Sequence, residues 1–239
     1  MYDITYTKAL SVNEEDCDMF GRLRPASMLK LMQEAGREHL DSWETLNSRI
    51  RDRGLLWVIS RTTAEISRLP VSREQLTLVT WPGKNRHAFL PRSFELRDDK
   101  GRVAVRAKSV YILMDKESRH AVTPKSMGID FPQRLDGEEL PDLAPRIPFP
   151  AELPGTLLRA PRYSELDVNG HLNNTHYLSW GEDLLGVDYH RHHALRTLRV
   201  EYRREVRPED AIEMRYALED DVLYVKGGEY FAIKMEYGK

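Results

Sequence analysis

Two amphipathic helical patterns, each followed by a series of strand patterns, account for most of this chain. Apolar residues recur at helical spacing in residues 26–40 and again in residues 174–185. Segments rich in β-branched and aromatic residues follow each helix, at 56–66, 76–81, 89–96 and 103–114, and then at 197–205, 212–218, 222–225 and 230–235. Short extended segments precede the helices, at 2–12 and 157–163. This order predicts α+β units in which an antiparallel sheet wraps a central helix.

The two series of elements are copies of one unit. The pattern Asp-x-x-Gly-x-Leu occurs at 18–23 and again at 167–172, an offset of 149 residues. After the helix, Glu65 matches Glu201 and Leu76 matches Ile212 at an offset of 136. The second copy is therefore shorter between helix and sheet, a difference that a surface loop tolerates. The sequence predicts a duplicated unit.

Proline separates the copies. Seven of the 13 prolines fall between Pro132 and Pro161, in a stretch with little hydrophobic periodicity. Because proline cannot donate a ladder hydrogen bond, this stretch is expected to be a linker that runs over the surface. We predict a first unit at 1–128, a linker at 129–155 and a second unit at 156–239.

Composition narrows the class of protein. The 36 Lys and Arg residues against 38 acids argue against a strongly basic nucleic-acid binder. A single cysteine, Cys17, excludes an intramolecular disulfide and favours a reducing compartment. The N-terminus lacks the layout of a signal peptide, and no apolar run approaches the roughly 18 residues that span a bilayer. We expect a cytoplasmic protein without membrane insertion.

Polar residues of complementary chemistry are concentrated in the second copy. Asp167, Asn169 and His171 alternate at i, i+2 and i+4, a spacing that directs all three to one face of an extended strand. The alternative is a strand end with a turn aspartate and a helix cap further on, for which Asn174 is the candidate under either interpretation. The first copy keeps the aspartate and glycine but replaces the amide and imidazole with a phenylalanine and an arginine, which favours a catalytic role.

Glu205 is a further candidate. Alternation in 198–206 places Glu201, Arg203 and Glu205 on one face of the predicted strand, where charged residues are ordinarily solvated and ion-paired. The first copy has the apolar Leu69 at the position of Glu205, so the repeat modestly favours a functional role.

These residues fit a known family. The pattern Asp-x-Asn-x-His-x-Asn-Asn-x-x-Tyr at 167–177, followed by Glu-Tyr-Arg-Arg-Glu at 201–205, closely resembles the acyl-acyl carrier protein thioesterases of plants and bacteria. Residues 81–85 and 109–115, ahead of Arg119, resemble strands of that family's first half, so the likeness covers nearly the whole chain. The resemblance implies a tandem (double) hotdog fold and an enzyme of fatty acid biosynthesis that hydrolyses fatty acyl-acyl carrier protein. It implies no cofactor and no metal, and it assigns the catalytic roles to Asp167, Asn169, His171 and Glu205.

The chain departs from the plant pattern beside the glutamate. Plant members often have a cysteine directly after it, whereas this chain has Val206, and Cys17 lies in the other half. We therefore expect water as the nucleophile, deprotonated by Glu205 or Asp167, with His171 in support. Asn169 would hold the thioester carbonyl or the water, and the following helix N-terminus would stabilise the oxyanion. Attack by the Asp167 carboxylate stays open, and the first unit is expected to line the acyl tunnel.

Other functions compete with this prediction. An acyl-coenzyme A thioesterase would use the same site, and a hydratase would pair the histidine with Glu34 or Glu38. A non-catalytic acyl-binding protein would need the tunnel only. The histidine-rich run at 190–193 is expected to be an exposed loop because it lacks regular ligand spacing. The basic residues Arg191, Arg203, Arg204 and Arg207 could dock an acidic carrier protein, and the chain is expected to be a monomer or homodimer.

Overall fold

The protein is described here by a computed structural model, which covers residues 2–135, 140 and 146–239. The first half contributes six strands: β1 (Tyr6–Ser11), β2 (Leu55–Ile66), β3 (Gln75–Pro82), β4 (Leu90–Arg97), β5 (Val103–Asp115) and β6 (Ala121–Val122). The second half contributes β7 (Gly155–Arg159), β8 (Ala194–Tyr202), β9 (Ile212–Glu219), β10 (Val222–Gly227) and β11 (Phe231–Gly238). The helices are α1 (Pro25–Asp41), α2 (Glu44–Asp52), α3 (His176–Glu182) and α4 (Val187–His192).

The strands form one antiparallel sheet. Its order is β1-β3-β4-β5-β2-β8-β11-β10-β9-β7, and β6 pairs with β5. The helix-wrapped antiparallel units that the sequence predicts are confirmed, as is the tandem hotdog arrangement that the resemblance implies. The sheets of the two units join edge to edge through β2 and β8 and become continuous.

A pseudo-twofold axis that relates the two copies passes through the junction between β2 and β8. Thr63 lies opposite Arg199, and these two residues are related by the offset of 136 that the sequence predicts. On either side, Arg61 pairs with Glu201 and Glu65 pairs with Thr197, as a twofold relation between the copies requires. The internal repeat is therefore a structural duplication with a pseudo-twofold axis at Thr63 and Arg199.

One hydrophobic core serves both halves. Leu29, Met32 and Ala35 of α1 are buried, as are Leu178 and Trp180 of α3, and all five belong to one cluster. The helices α1 and α3 contact each other across the pseudo-axis, so each central helix packs against its own sheet and against its counterpart. No helix in the described ranges is both long enough and apolar enough to cross a membrane.

The predicted linker lies partly outside the described residues, which lack 136–139 and 141–145. Its described residues from 129 to 154 contain no helix or strand, but several of their apolar side chains are buried, including Ile129, Phe131 and Ile147. The ring of Phe131 lies 5.4 Å from that of Trp57 in β2. The expectation of a simple surface linker is wrong for these residues, because their apolar side chains gain more by packing than by exposure.

Candidate active site

Residues 167–171 form a tight turn instead of the extended strand that we predicted. The Oδ1 atom of Asp167 accepts hydrogen bonds from the backbone N–H groups of Asn169, at 2.8 Å, and His171, at 3.3 Å. The backbone N–H of Asp167 donates to the carbonyl oxygen of His171 at 2.8 Å. Gly170 closes the turn with a left-handed φ of 75°, which glycine adopts without strain. The backbone conformation of Gly170 and the hydrogen bonds to Asp167 thus favour a turn here, although polar residues alternate as they would in a strand.

The same turn occurs twice more in the molecule. Asp18 accepts hydrogen bonds from the N–H groups two and four residues ahead, both at 2.9 Å. Asp98, in the hairpin between β4 and β5, does so at 3.0 and 2.9 Å. Each turn has a glycine three residues after the aspartate with φ of 75 or 76°. The aspartate is therefore a turn-forming residue at all three places, whatever else Asp167 does.

The structure brings His171 and Glu205 together. The Nε2 atom of His171 lies 3.3 Å from Oε2 of Glu205. We expected Glu205 within a strand, but β8 ends at Tyr202, so the glutamate belongs to the loop that follows. The backbone of Val206 fixes this loop, because its carbonyl accepts the N–H of Leu172 at 2.8 Å.

Arg119 completes the cluster from the first half. Its guanidinium donates from Nη2 to Oε1 of Glu205, so both oxygens of the carboxylate face a partner. Arg119 has a left-handed φ of 58° in the turn between β5 and β6, which Asp115 stabilises by accepting the N–H of Ser118 at 2.8 Å. The family pattern includes Arg119, but the sequence alone gave this residue no role, because its partner Glu205 lies 86 positions further along the chain.

Asn169 projects from the exposed corner of the turn. Its side-chain nitrogen lies 3.4 Å from Oδ2 of Asp167, and its residue is solvent-exposed beside the cavity described below. The prediction of Asn174 as the helix cap is wrong. The N-cap position of α3 is Thr175, which makes no side-chain cap hydrogen bond. In the turn before it, Oδ1 of Asn173 accepts the backbone N–H of Thr175 at 3.0 Å, while the carbonyl of Asn174 accepts the hydroxyl of Tyr202. The helix itself, α3, has only seven residues.

A cavity of about 1250 Å³ extends from this cluster into the first half. Asp167, Asn169, His171 and Glu205 all line it. The rest of its wall comes mainly from the first half, from α1, β2, β4, β5 and the residues that follow β6: Lys30, Glu34, Gly36, Leu40, Trp57, Ile59, Leu90, Arg92, Tyr111 and Phe131. The site therefore combines polar groups of the second copy with a long pocket under the helix of the first.

No cysteine of the described residues reaches the cavity. Cys17 is buried in the turn of the first copy, where burial raises the pKa of its thiol and its Sγ lies 3.4 Å from the carbonyl of Asn13. Val206 stands where plant relatives often have cysteine and is 0% exposed. A thiol nucleophile is therefore absent from this part of the protein.

The matching turn of the first copy is closed. Arg22, at the position of His171, donates to the carbonyl oxygens of His190 at 2.9 Å and His193 at 3.2 Å, and its Nε donates to Asp18 at 2.9 Å. The histidine-rich run is the end of α4 instead of the exposed loop that we expected. No group of three or more His, Cys, Asp or Glu side chains in the described ranges is arranged to hold a metal.

The two glutamates considered for a hydratase differ in position. Glu34 lines the cavity, whereas Glu38 accepts hydrogen bonds from Tyr6 at 2.8 Å and Lys8 at 2.6 Å outside it. Among the basic residues, Arg203 pairs with the buried Glu201 at 2.8 Å. Arg204 pairs with Glu229 and Arg191 with Asp188, both on the surface.

Comparisons with known proteins agree with this architecture. The sequence models of the acyl-ACP thioesterase N-terminal domain and C-terminal domain match residues 3–126 and 156–234. A chloroplastic acyl-[acyl-carrier-protein] hydrolase of Cuphea viscosissima is 23% identical over 90% of this chain and 55% of its own length. The chain spans about half the length of the plant relatives that it matches, between 39% and 56%.

Two solved structures share the whole fold. The 12:0-ACP thioesterase of Umbellularia californica superposes with a TM-score of 0.81 at 19% identity, covering 100% of this chain and 98% of its own. An acyl-ACP thioesterase of Bacteroides thetaiotaomicron gives a TM-score of 0.78 at 19% identity, covering 98% of both chains. Because the two domain models together cover most of the sequence, this chain belongs to the acyl-ACP thioesterase family.

Proposed function

We propose that this protein hydrolyses the thioester between a fatty acyl chain and the phosphopantetheine arm of acyl carrier protein. The observation that carries the proposal is the His171–Glu205 pair at 3.3 Å beside a cavity of about 1250 Å³, a volume that can hold an acyl chain. The products are a free fatty acid and the carrier-protein thiol. Relatives named as hydrolases of acyl-ACP support the choice of substrate.

His171 is the proposed general base. The Oε2 atom of Glu205 lies 3.3 Å from Nε2 of the imidazole, and in this scheme it holds the tautomer whose Nδ1 lone pair takes a proton from water. The hydroxide equivalent attacks the thioester carbon, and the tetrahedral intermediate collapses by breaking the carbon–sulfur bond. The proton held by His171 then passes to the thiolate. Glu205 orients the imidazole and stabilises its charged form, in place of acting on the water directly.

Asn169 and Asp167 have supporting roles in this scheme. The exposed amide of Asn169 can donate to the carbonyl oxygen as negative charge develops on it. Asp167 already accepts two backbone hydrogen bonds in the turn, which supports a positioning role over nucleophilic attack. In this scheme the four polar residues need only water as the second reactant.

Thiol release from acyl-acyl carrier proteins and acyl-coenzyme A esters of several chain lengths tests the proposal. His171→Ala and Glu205→Ala should lower kcat by about 10²- to 10⁴-fold, the usual contribution of a general base. Glu14→Ala is the matched control, since Glu14 also pairs with an exposed arginine, Arg73, and neither residue lines the cavity. Wild-type hydrolysis with unchanged rates in both site variants would contradict the assignment.

The same panel separates the alternatives. A higher kcat/KM for coenzyme A esters would favour the acyl-coenzyme A thioesterase. Binding of acyl ligands without any hydrolysis would favour an acyl-binding protein. Water addition to an enoyl thioester would favour the hydratase, for which Glu34 is positioned along the cavity. A cytoplasmic location and a monomeric or dimeric state remain predictions from the sequence.

A further inference from the structure

The helix α1 presents polar side chains to the cavity that contains His171. Lys30, Gln33, Glu34 and Arg37 all line this cavity, and their spacing of i, i+3, i+4 and i+7 places them on one face of the helix. Three of these four side chains are ionisable, whereas Gln33 is a neutral amide. Gln33 is also half-buried, so its amide forms part of the cavity wall.

The side-chain amide of Gln33 has no hydrogen-bond partner among the described residues. The other two glutamines of the chain are bonded to the protein. Nε2 of Gln75 donates to the hydroxyl of Ser11 at 3.0 Å, and Oε1 of Gln133 accepts the backbone N–H of Asn85 at 2.8 Å. A glutamine amide has two N–H donors and one carbonyl acceptor. Those of Gln33 are therefore available to a molecule bound in the cavity.

The duplication shows which turn Gln33 faces. The residue of α3 that matches Gln33 at the offset of 149 is Glu182. Glu182 lies beside the turn of the first copy, where its carboxyl group interacts with the charges of Asp18 and Arg22. Because the pseudo-twofold axis exchanges the two helices and the two turns, Gln33 lies beside the turn at 167–171. Gln33 and this turn line the same cavity, as that symmetry requires.

The two pairs of helix and turn differ in chemistry. The first-copy turn has Phe20, and the helix α3 beside it has the carboxyl group of Glu182. At the cavity, the matching residues are Asn169 and Gln33, which place two neutral amides around His171. A carboxylate repels negative charge that develops on a substrate, whereas an amide N–H stabilises it. The amides thus occur in the helix and turn that border the cavity.

The backbone at the start of α3 supplies fewer donors than the sequence suggested. Asn173 accepts the backbone N–H groups of Thr175 and His176, both at 3.0 Å, through its side chain and its carbonyl. These N–H groups are therefore already used within the turn, and α3 has only seven residues. Stabilisation of an oxyanion consequently depends more on side-chain amides.

We propose that the side-chain N–H group of Gln33 donates a hydrogen bond to the thioester carbonyl oxygen and, together with Asn169, forms the oxyanion site. This inference rests on the proposed function, since it adds a catalytic residue to the same reaction. When the hydroxide equivalent attacks, the π electron pair of the carbonyl moves onto its oxygen, where the two amides stabilise the charge. When that pair returns, the carbon–sulfur bond breaks. Gln33 gives up no proton at any step.

Gln33→Glu and Gln33→Met test the donor. Glutamate has the same shape and keeps an acceptor oxygen but loses the N–H donor, and methionine has neither group. Both variants should lower kcat for acyl-acyl carrier protein by about 10²- to 10³-fold, with little change in KM. Gln33→Glu should be the slower of the two at alkaline pH, because an ionised carboxylate opposes the oxyanion.

Gln75→Met is the matched control, because Gln75 is an exposed glutamine of β3 that does not line the cavity. Its kcat and KM should equal those of the wild type. Thermal melting checks that each variant is folded.

A binding measurement needs no hydrolysis. Two acyl-pantetheine analogues are compared by calorimetry: a trifluoromethyl ketone, whose hydrate is tetrahedral like the intermediate, and a thioether with a methylene group in place of the carbonyl. Gln33→Met should weaken binding of the ketone by about tenfold or more and leave binding of the thioether unchanged. A residue that only supports the fold would change both affinities together.

The outcomes separate this proposal from the proposed function. Hydrolysis by the wild type with an unchanged kcat in Gln33→Met, or with most activity kept in Gln33→Glu, would overturn the oxyanion role and leave the thioesterase standing. A rise in KM alone would also overturn it, because it would show uniform binding of the substrate. Absence of hydrolysis, with selective loss of ketone binding in Gln33→Met, would overturn the thioesterase and support the contact between Gln33 and the carbonyl oxygen.

Discussion

Asp18 and Asp167 occupy the same position of the two copies and make the same hydrogen bonds, although only Asp167 lies beside the cavity. Each accepts the backbone N–H groups two and four residues ahead through one carboxylate oxygen. The fold therefore uses this aspartate to form the turn in both copies, whereas the residues around it differ between the copies. In the proposed mechanism, the second turn differs from the first by Asn169 and His171, which the first turn lacks.

Asp167→Asn should therefore retain kcat within about tenfold of the wild type. The amide oxygen of asparagine can accept the same two backbone hydrogen bonds, so the turn and the position of His171 are kept. Thiol-release kinetics with acyl-acyl carrier protein measure the effect. Loss of all activity in a folded Asp167→Asn protein would instead indicate that the carboxylate attacks the thioester or acts as the base.

Arg119→Met should lower kcat by about tenfold with little change in KM. The guanidinium holds the carboxylate that orients His171, and hydrogen bonds to charged groups contribute roughly 1.5–3 kcal/mol, less when solvent screens them as here. Arg119→Lys should recover part of the rate, because an ammonium group supplies the same charge with poorer geometry. Steady-state kinetics of the three proteins separate the effect on kcat from that on KM.

Arg73→Met provides the control for Arg119. Arg73 also has a left-handed φ, of 65°, and also pairs with an exposed glutamate, Glu14. It does not line the cavity. Equal rate losses in the Arg73 and Arg119 variants would show that the loss comes from surface charge in general and not from the contact between Arg119 and Glu205.

Val206→Cys should leave hydrolysis unchanged and resistant to iodoacetamide. Position 206 is 0% exposed, and its backbone holds the catalytic turn while its side chain faces the core. A thiol placed there has no access to the thioester, and burial raises a thiol pKa. Kinetics before and after alkylation, with intact mass spectrometry for an acyl-enzyme, check this. An acyl adduct on the new cysteine would show that this position does reach the substrate.

The duplicated architecture and the identity of the polar residues could be predicted from the sequence, whereas their geometry could not. The offset of 136 correctly identifies the strand residues that correspond in the two copies, and these residues are related by twofold symmetry across the β2–β8 junction. The alternation of Asp167, Asn169 and His171 suggested a strand, but Gly170 with φ of 75° makes a turn. In short segments, turn chemistry overrides a period-two pattern.

Contacts between the halves were beyond sequence reasoning for a different reason. Arg119 meets Glu205 only because the sheets of the two halves are continuous, which brings the turn after β5 beside the loop after β8.

Glu182→Gln should make the protein more stable than the wild type at alkaline pH and equally stable at acidic pH. Glu182 ends α3 beside the turn of the first copy, and burial raises the pKa of its carboxyl group to about 8. A group whose pKa is higher folded than unfolded favours folding only while protonated. Its contribution is complete below the unfolded value, near 4.3, and is lost as the pH rises through about 8.

The first half already has Gln33 at the matching position of α1, so the substitution installs a residue that this helix position accepts. Because Glu182 is only half-buried, the full shift overstates the effect, and we expect a difference on the order of 2 kcal/mol between about pH 5 and pH 8.5. Urea unfolding of both proteins at the two pH values measures it. Glu44→Gln, at an exposed glutamate of α2, is the matched control and should leave the pH dependence unchanged. Parallel pH profiles for wild type and Glu182→Gln would show that this carboxyl group stays ionised in the folded protein.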